Sequence, residues 1–192
     1  MNEIVKLGLI LFIITAVAAG VLSVSNAITA DRIAELDKIM NDLAMQEVLG
    51  AAEEFRPVDE GKFNAFKSVN SKVIEINEGY DSASNLVGYT VKAVTKGFGG
   101  DIEFMLGVSI DGEITGIKIL AHEETPGLGA NAEKKYFTDS FKGKPVSVEL
   151  VSSKSPQGEN EVQAITSATV TTNGIVNGVN EVLKAYNATF SN

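Results

Sequence analysis

Ile102-Glu103-Phe104-Met105-Leu106-Gly107-Val108-Ser109-Ile110, followed by Asp111-Gly112 and then Glu113-Ile114-Thr115-Gly116-Ile117-Lys118-Ile119-Leu120, is the stretch that decides the fold. Apolar and polar residues alternate along both runs, and β-branched side chains are frequent, as expected for half-buried strands. Asp-Gly between two such runs is a strong hairpin signal, because a two-residue turn needs backbone at φ > 0. The two strands are therefore expected to pair antiparallel. Upstream, Lys72 to Ile76 and Leu86 to Val94 show the same pattern, and Gly97-Phe98-Gly99-Gly100 links the latter to Ile102. Those glycines read as a hairpin loop and not a phosphate loop, since neither GxGxxG nor a Walker pattern follows.

Downstream, Ala132 to Phe141 reads as a short helix with Tyr136, Phe137 and Phe141 on one edge, ended by Gly143. Val146 to Val151 reads as a further strand, and Ser155 to Asn160 as a polar loop. From Gly174 to Leu183 the apolar residues fall at helical spacing. The expected domain is α+β, an antiparallel sheet with flanking helices.

At the other end, no charged residue occurs from Leu7 to Ala30, and about 20 apolar residues suffice to cross a bilayer. One N-terminal transmembrane helix is expected. It is read as retained and not as a cleaved signal, although Ser25-Asn26-Ala27 offers small residues, because the apolar run exceeds the roughly 7–15 residues of a signal core. Lys6 and the amino terminus favour a cytoplasmic N-terminus, which places the rest of the chain outside the cytoplasm. Next come Ile33, Leu36, Ile39, Met40, Leu43 and Val48 near helical spacing, an amphipathic helix of about six turns. Phe55-Arg56-Pro57 is expected to close that helix, and its apolar stripe to pack on the protein's own domain. The organisation is thus anchor 1–30, helical connector 31–58 and extracytoplasmic domain 59–192.

Composition narrows the chemistry. A net charge of -9 with no basic cluster argues against nucleic-acid binding. With no cysteine there is no disulfide, iron–sulfur cluster or thiolate nucleophile, so any redox chemistry must come from a bound cofactor. The single histidine, His122, leaves no His-rich metal site and reads as a solvated strand-end residue, not a base.

Two clusters carry chemical interest. In Ala164-Ile165-Thr166-Ser167-Ala168-Thr169-Val170-Thr171-Thr172, five hydroxyls stand in the seven positions from Thr166, just ahead of the last helix. A helix N-terminus presents unpaired N–H groups and a positive dipole end, which suit a phosphate. Taken alone, the cluster also reads as an N-cap with extra threonines. The second cluster is Glu124-Thr125-Pro126-Gly127-Leu128-Gly129, where Pro126 disfavours helix and Gly127 and Gly129 permit φ > 0 and close approach of a planar ligand.

Both clusters resemble motifs of the Rnf and Nqr electron-transport families. The first is similar to Asp-x-x-Ser/Thr-Gly-Ala-Thr, aligned on Gln163 to Thr169, with Gln163 where the family has Asp and Ser167 where it has Gly. The second matches the family's Glu-Thr-Pro-Gly-Leu-Gly loop without a gap. The resemblance covers most of the chain and is greatest to the G subunit of Rnf-type complexes. It implies FMN joined by a phosphoester to the hydroxyl of Thr169 through a separate flavin transferase. Thr166, Ser167, Ala168, Thr171 and Thr172 would surround the phosphate, and Glu124, Thr125 and Leu128 would meet the isoalloxazine. Lys154 is the basic residue nearest in sequence, read as a solvated loop lysine. The implied role is an electron-transfer subunit, without an active site of its own. It would sit in a membrane complex that couples ferredoxin/NAD electron flow to Na⁺ or H⁺ translocation, with the other complex subunits as partners. The alternatives are an Nqr-type C subunit, a stand-alone flavinylated extracytoplasmic carrier, or a non-redox binding or scaffold domain.

Overall fold

A computed structural model describes residues 2–190. Met1, which enters the anchor and the orientation reading, and residues 191 and 192 of the last domain lie outside the described residues. The chain divides into two compact units, Met1–Asn41 and Asp42–Asn192. From Glu3 to Asn41 the first unit is part of helix α1, Glu3–Val48, which is long and apolar enough to cross a membrane. Of the expected connector 31–58, residues 42 onward belong to the second unit. Within that unit Val48, the last residue of the stripe, is buried together with Ala44 and Met45.

The second unit is built on a five-stranded antiparallel sheet of order β1-β2-β3-β4-β5. The strands are β1 Glu54–Pro57, β2 Val73–Tyr80, β3 Leu86–Lys96, β4 Asp101–Ser109 and β5 Ile114–His122. The Asp111-Gly112 turn forms as read, with Gly112 at φ +79°. Phe55-Arg56-Pro57 does not close the first helix; it forms edge strand β1 against β2, where a proline at the strand end sacrifices no interior ladder bond. Helix α2, Glu60–Val69, was not foreseen; Asp59 caps it by accepting from the Lys62 N–H at 3.0 Å.

One face of the sheet, with Val91, Phe104, Leu106, Ile117 and Ile119, builds the main core under helix α4, Thr169–Phe190. The other face receives the end of α1 around Met105. There Gly107 and Gly116 lie beneath Val48; a Cβ on Gly107 would stand 2.3 Å from the Val48 carbonyl oxygen.

Between β5 and α4 the chain departs from expectation. In place of one helix over Ala132–Phe141 there are a 3-10 turn (Gly129–Glu133), a single helical turn α3 (Lys135–Thr138) and a second 3-10 turn (Asp139–Phe141). Val146 to Leu150 is not a strand. Its backbone is served by side chains of α4: Asn180 bonds both the N–H and the C=O of Leu150 at 2.9 Å, and Asn187 donates to the Val146 carbonyl at 2.7 Å. A small parallel pair follows, β6 Val151–Ser153 with β7 Glu161–Gln163.

Candidate functional site

The close seat of α4 on β3 places the site. Gly174 and Gly178 face the strand. A Cβ at Gly174 would lie 2.1 Å from the Lys96 carbonyl oxygen, and one at Gly178 would lie 2.7 Å from Thr95 Cβ. Thr95 donates its hydroxyl to the Gly174 carbonyl at 2.8 Å. This contact brings the first turn of α4 beside the β3–β4 hairpin and the loop leaving β5.

Glu124 joins the three segments. Its Oε1 accepts from the N–H groups of Phe98 and Gly99 at 2.7 and 2.9 Å, and its Oε2 accepts from the Thr171 hydroxyl at 2.5 Å. The residue is 6% exposed. Burial by itself would raise the Glu124 carboxyl, but the bonds from Thr171, Gly99 and Phe98 outweigh it and hold the group below its ordinary value. The carboxylate is therefore ionised, and it ties these segments together. Gly129 packs on the same carboxylate: a Cβ there would stand 2.1 Å from Glu124 Oε2. Its missing side chain makes room for Glu124, and Gly127 takes φ +79°.

His122 also differs from expectation. Its side chain is 13% exposed, Nδ1 accepts from the Glu124 N–H at 3.1 Å, and Nε2 lies 3.2 Å from Glu133 Oε1. It braces the base of the loop.

At the start of α4, Ser167 has φ +60°, a left-handed conformation that suits glycine. That is a physical reason for the glycine of the motif at this position. Thr169 is the first helical residue and is exposed. The amides of the first turn have no intrahelical acceptor and gather at the positive end of the helix. Thr171 and Thr172 are each 1% exposed. The Thr171 hydroxyl is spent on Glu124. That of Thr172 accepts from the Ile165 N–H at 3.0 Å and donates to the Ala168 carbonyl at 2.9 Å. Both brace the turn, and neither is free to hold a phosphate as the sequence reading supposed. The Gln163 amide donates to the carbonyls of Lys154 and Ala164, both at 3.2 Å, bonds a carboxylate could not make.

These elements enclose a cavity of about 230 Å³. Thr125, Leu128, Ser167, Ala168, Thr169 and Thr171 line it together with Glu124; Thr166 and Thr172 do not. Gly129 lines it as well, and so do Phe98 and Val170, which neither motif marks as site residues. Phe98 could have been found only by treating the glycine-rich hairpin as part of the site. Val170 could have been found from its place beside Thr169. Among the described residues no lysine or arginine lines the cavity.

An exposed threonine hydroxyl at a helix N-terminus, beside a partly apolar cavity lined by Phe98, Leu128, Gly129 and Val170, is a site fit for a phosphorylated planar cofactor. Residues 97–184 match the family described as the FMN-binding domain. The chain is 43% identical over 188 residues to the G subunit of the Na⁺-translocating ferredoxin:NAD⁺ oxidoreductase complex of Acetobacterium woodii, covering 94% of this chain and 90% of that one. It is 30% identical over 183 residues to the G subunit of the ion-translocating oxidoreductase complex of Methanosarcina acetivorans, covering 95% and 94%. The chain belongs to this G-subunit family. In fold it is similar to the C subunit of the Na⁺-translocating NADH-quinone reductase of Parabacteroides distasonis, with a TM-score of 0.63 at 19% identity over 84% of this chain and 97% of that one.

Proposed function

We propose that this protein is the membrane-anchored flavin carrier of an ion-translocating ferredoxin:NAD oxidoreductase complex, with FMN held by a phosphoester on Thr169. The observation that carries the reading is the exposed Thr169 at the start of α4, facing the cavity that Leu128 and Thr125 also line. A flavin transferase would form the Thr169 Oγ–P bond while the bond from that phosphorus to the leaving group of an activated flavin nucleotide breaks and the hydroxyl proton is lost. Helix dipole and first-turn amides would stabilise the phosphate without help from a basic side chain. Ser167 and Ala168 leave space beside it.

The FMN supplies the electron chemistry through its ring. The protein binds and orients it. Leu128 and Thr125 would contact the ring, while Glu124 keeps loop, hairpin and helix in register. At about 230 Å³ the cavity is below the roughly 300–1,000 Å³ of enclosing ligand pockets. Part of the flavin would therefore stay accessible, as exchange of electrons with partner subunits requires. Residues 1–30 would anchor the chain with the N-terminus cytoplasmic, and the domain from 59 onward would lie outside.

Co-expression with a flavin transferase, followed by denaturing electrophoresis and ultraviolet illumination, tests this reading. A fluorescent band at the position of the chain is expected. A colourless denatured chain alongside flavin released into solution would mean that FMN is held without a covalent bond.

A further inference from the structure

Phe98 stands at the tip of the β3–β4 hairpin and is 74% exposed, yet the backbone around it is held as firmly as core. Its N–H and that of Gly99 donate to Glu124 Oε1, and the Gly97 N–H donates to the Gly100 carbonyl at 2.8 Å. A Cβ on Gly97 would lie 2.2 Å from Glu124 Oε1, and one on Gly99 would lie 2.2 Å from the Glu123 carbonyl oxygen. Glycine is thus required on both sides of Phe98 so that the tip can press onto the loop. A hairpin that only reversed the chain would need neither the buried carboxylate nor the close packing.

The one large side chain on this fixed tip lines the cavity that Thr169 lines. Leu128 at 42% exposure and Val170 at 56% share its rim. Single exposed apolar residues are ordinary, but three around one cavity mark a surface that a ligand covers. Aromatic rings favour offset or edge-on contact with other flat ring systems.

We infer that Phe98 is a wall of the flavin-ring site, and that Glu124 is the positioning residue that holds it there through the two tip amides. The inference rests on the flavin-carrier reading above. An aromatic wall shields one side of the ring from water and so tunes its potential, and Glu124 acts on that wall through the two tip amides.

The test uses the full-length protein in detergent, co-expressed with a flavin transferase, as wild type, Phe98→Ala and Phe98→Tyr, with attachment measured by intact mass. Phe98 is exposed, so its truncation should leave the fold intact. In Phe98→Ala, iodide quenching of flavin fluorescence should rise about twofold or more, the size an aromatic contact supports, and the reduction potential should move. Phe98→Tyr, which keeps the aromatic wall, should hold the reduction potential near that of wild type. Glu124→Gln should speed hydrogen exchange at the Phe98 and Gly99 amides and raise quenching in parallel. Unchanged quenching and potential in Phe98→Ala, with flavin attached in both chains, would overturn the assignment of Phe98 and leave the carrier reading standing. Absence of attached flavin from wild type would overturn the carrier reading instead. Wherever a chain carries no attached flavin, free FMN becomes the probe: a shift of the Phe98 amide resonance on its addition supports the wall, and a silent resonance overturns it.

Discussion

Glu124 and Ser167 show how single residues set the geometry of this site. The Glu124 carboxylate accepts three hydrogen bonds from two segments, the β3–β4 hairpin and α4, and its pKa lies below the ordinary glutamate value of 4.5. A depressed carboxylate pKa contributes stability that is present above the unfolded value and lost as pH falls through the folded one. The Phe98 and Gly99 amides should therefore keep their protection from hydrogen exchange at neutral pH and lose it only below about pH 4.5. Loss of that protection between pH 6 and 8 would contradict the account. Ser167 presents the opposite case, a residue at φ +60° where an L side chain costs about 1–2 kcal/mol. Ser167→Gly should stabilise the chain by roughly 0.5–1 kcal/mol once the added flexibility of glycine is deducted. Ser167→Val, with a β-branched side chain, should destabilise it by about 2 kcal/mol. Thermal midpoints of the three chains should fall in the order Gly, Ser, Val.

At the scale of elements, the seat of α4 on β3 decides whether the first turn of the helix reaches the cavity. Ala is favoured over Gly within a helix by about 1 kcal/mol. At Gly174, however, the new methyl would overlap the Lys96 carbonyl oxygen at 2.1 Å, and forced overpacking costs about 1–3 kcal/mol. Backbone cannot swing aside as a side-chain end can, so overlap wins. Gly174→Ala should lower the thermal midpoint and weaken flavin attachment, and a midpoint raised by the substitution would show that helix and strand are not in tight contact. Strands β2 to β5 are legible because their period-2 alternation is sustained and one turn carries Asp-Gly. Strand β1 was not, because four residues ending in proline mimic a helix stop. Helix α2 announced itself only through Asp59 ahead of Phe63 and Phe66. Val146 to Leu150 has the alternation of a strand, but asparagine side chains of α4 take the place of a neighbouring strand, and periodicity carries no record of which partner satisfies a backbone. The motifs located Thr169, Leu128 and Thr125 at the cavity. They misassigned Thr171 and Thr172, whose hydroxyls the fold consumes, and they passed over Phe98, whose role depends on a contact 26 residues distant in sequence.

The whole molecule combines an apolar helix with an acidic domain. The uncharged segment from Leu7 to Ala30 should hold the full-length chain in the membrane fraction until detergent is added, whereas a chain beginning near Ala30 should remain in the aqueous fraction and still accept flavin. Full-length chain in the aqueous fraction, under conditions where known membrane proteins pellet, would contradict the anchor. Orientation can be read separately, from protease access to the domain in intact cells and in inverted vesicles; the account expects cleavage from the extracytoplasmic side. The central claim is that one hydroxyl of this chain carries the cofactor, and intact-mass measurement of full-length protein co-expressed with a flavin transferase tests it most directly. Wild type should gain the mass of a single FMN phosphoester. Thr169→Val, close in volume but without the hydroxyl, should gain none while its thermal midpoint stays near that of wild type. A flavin adduct that persists in Thr169→Val, or one that never forms on the wild-type chain, would contradict the account.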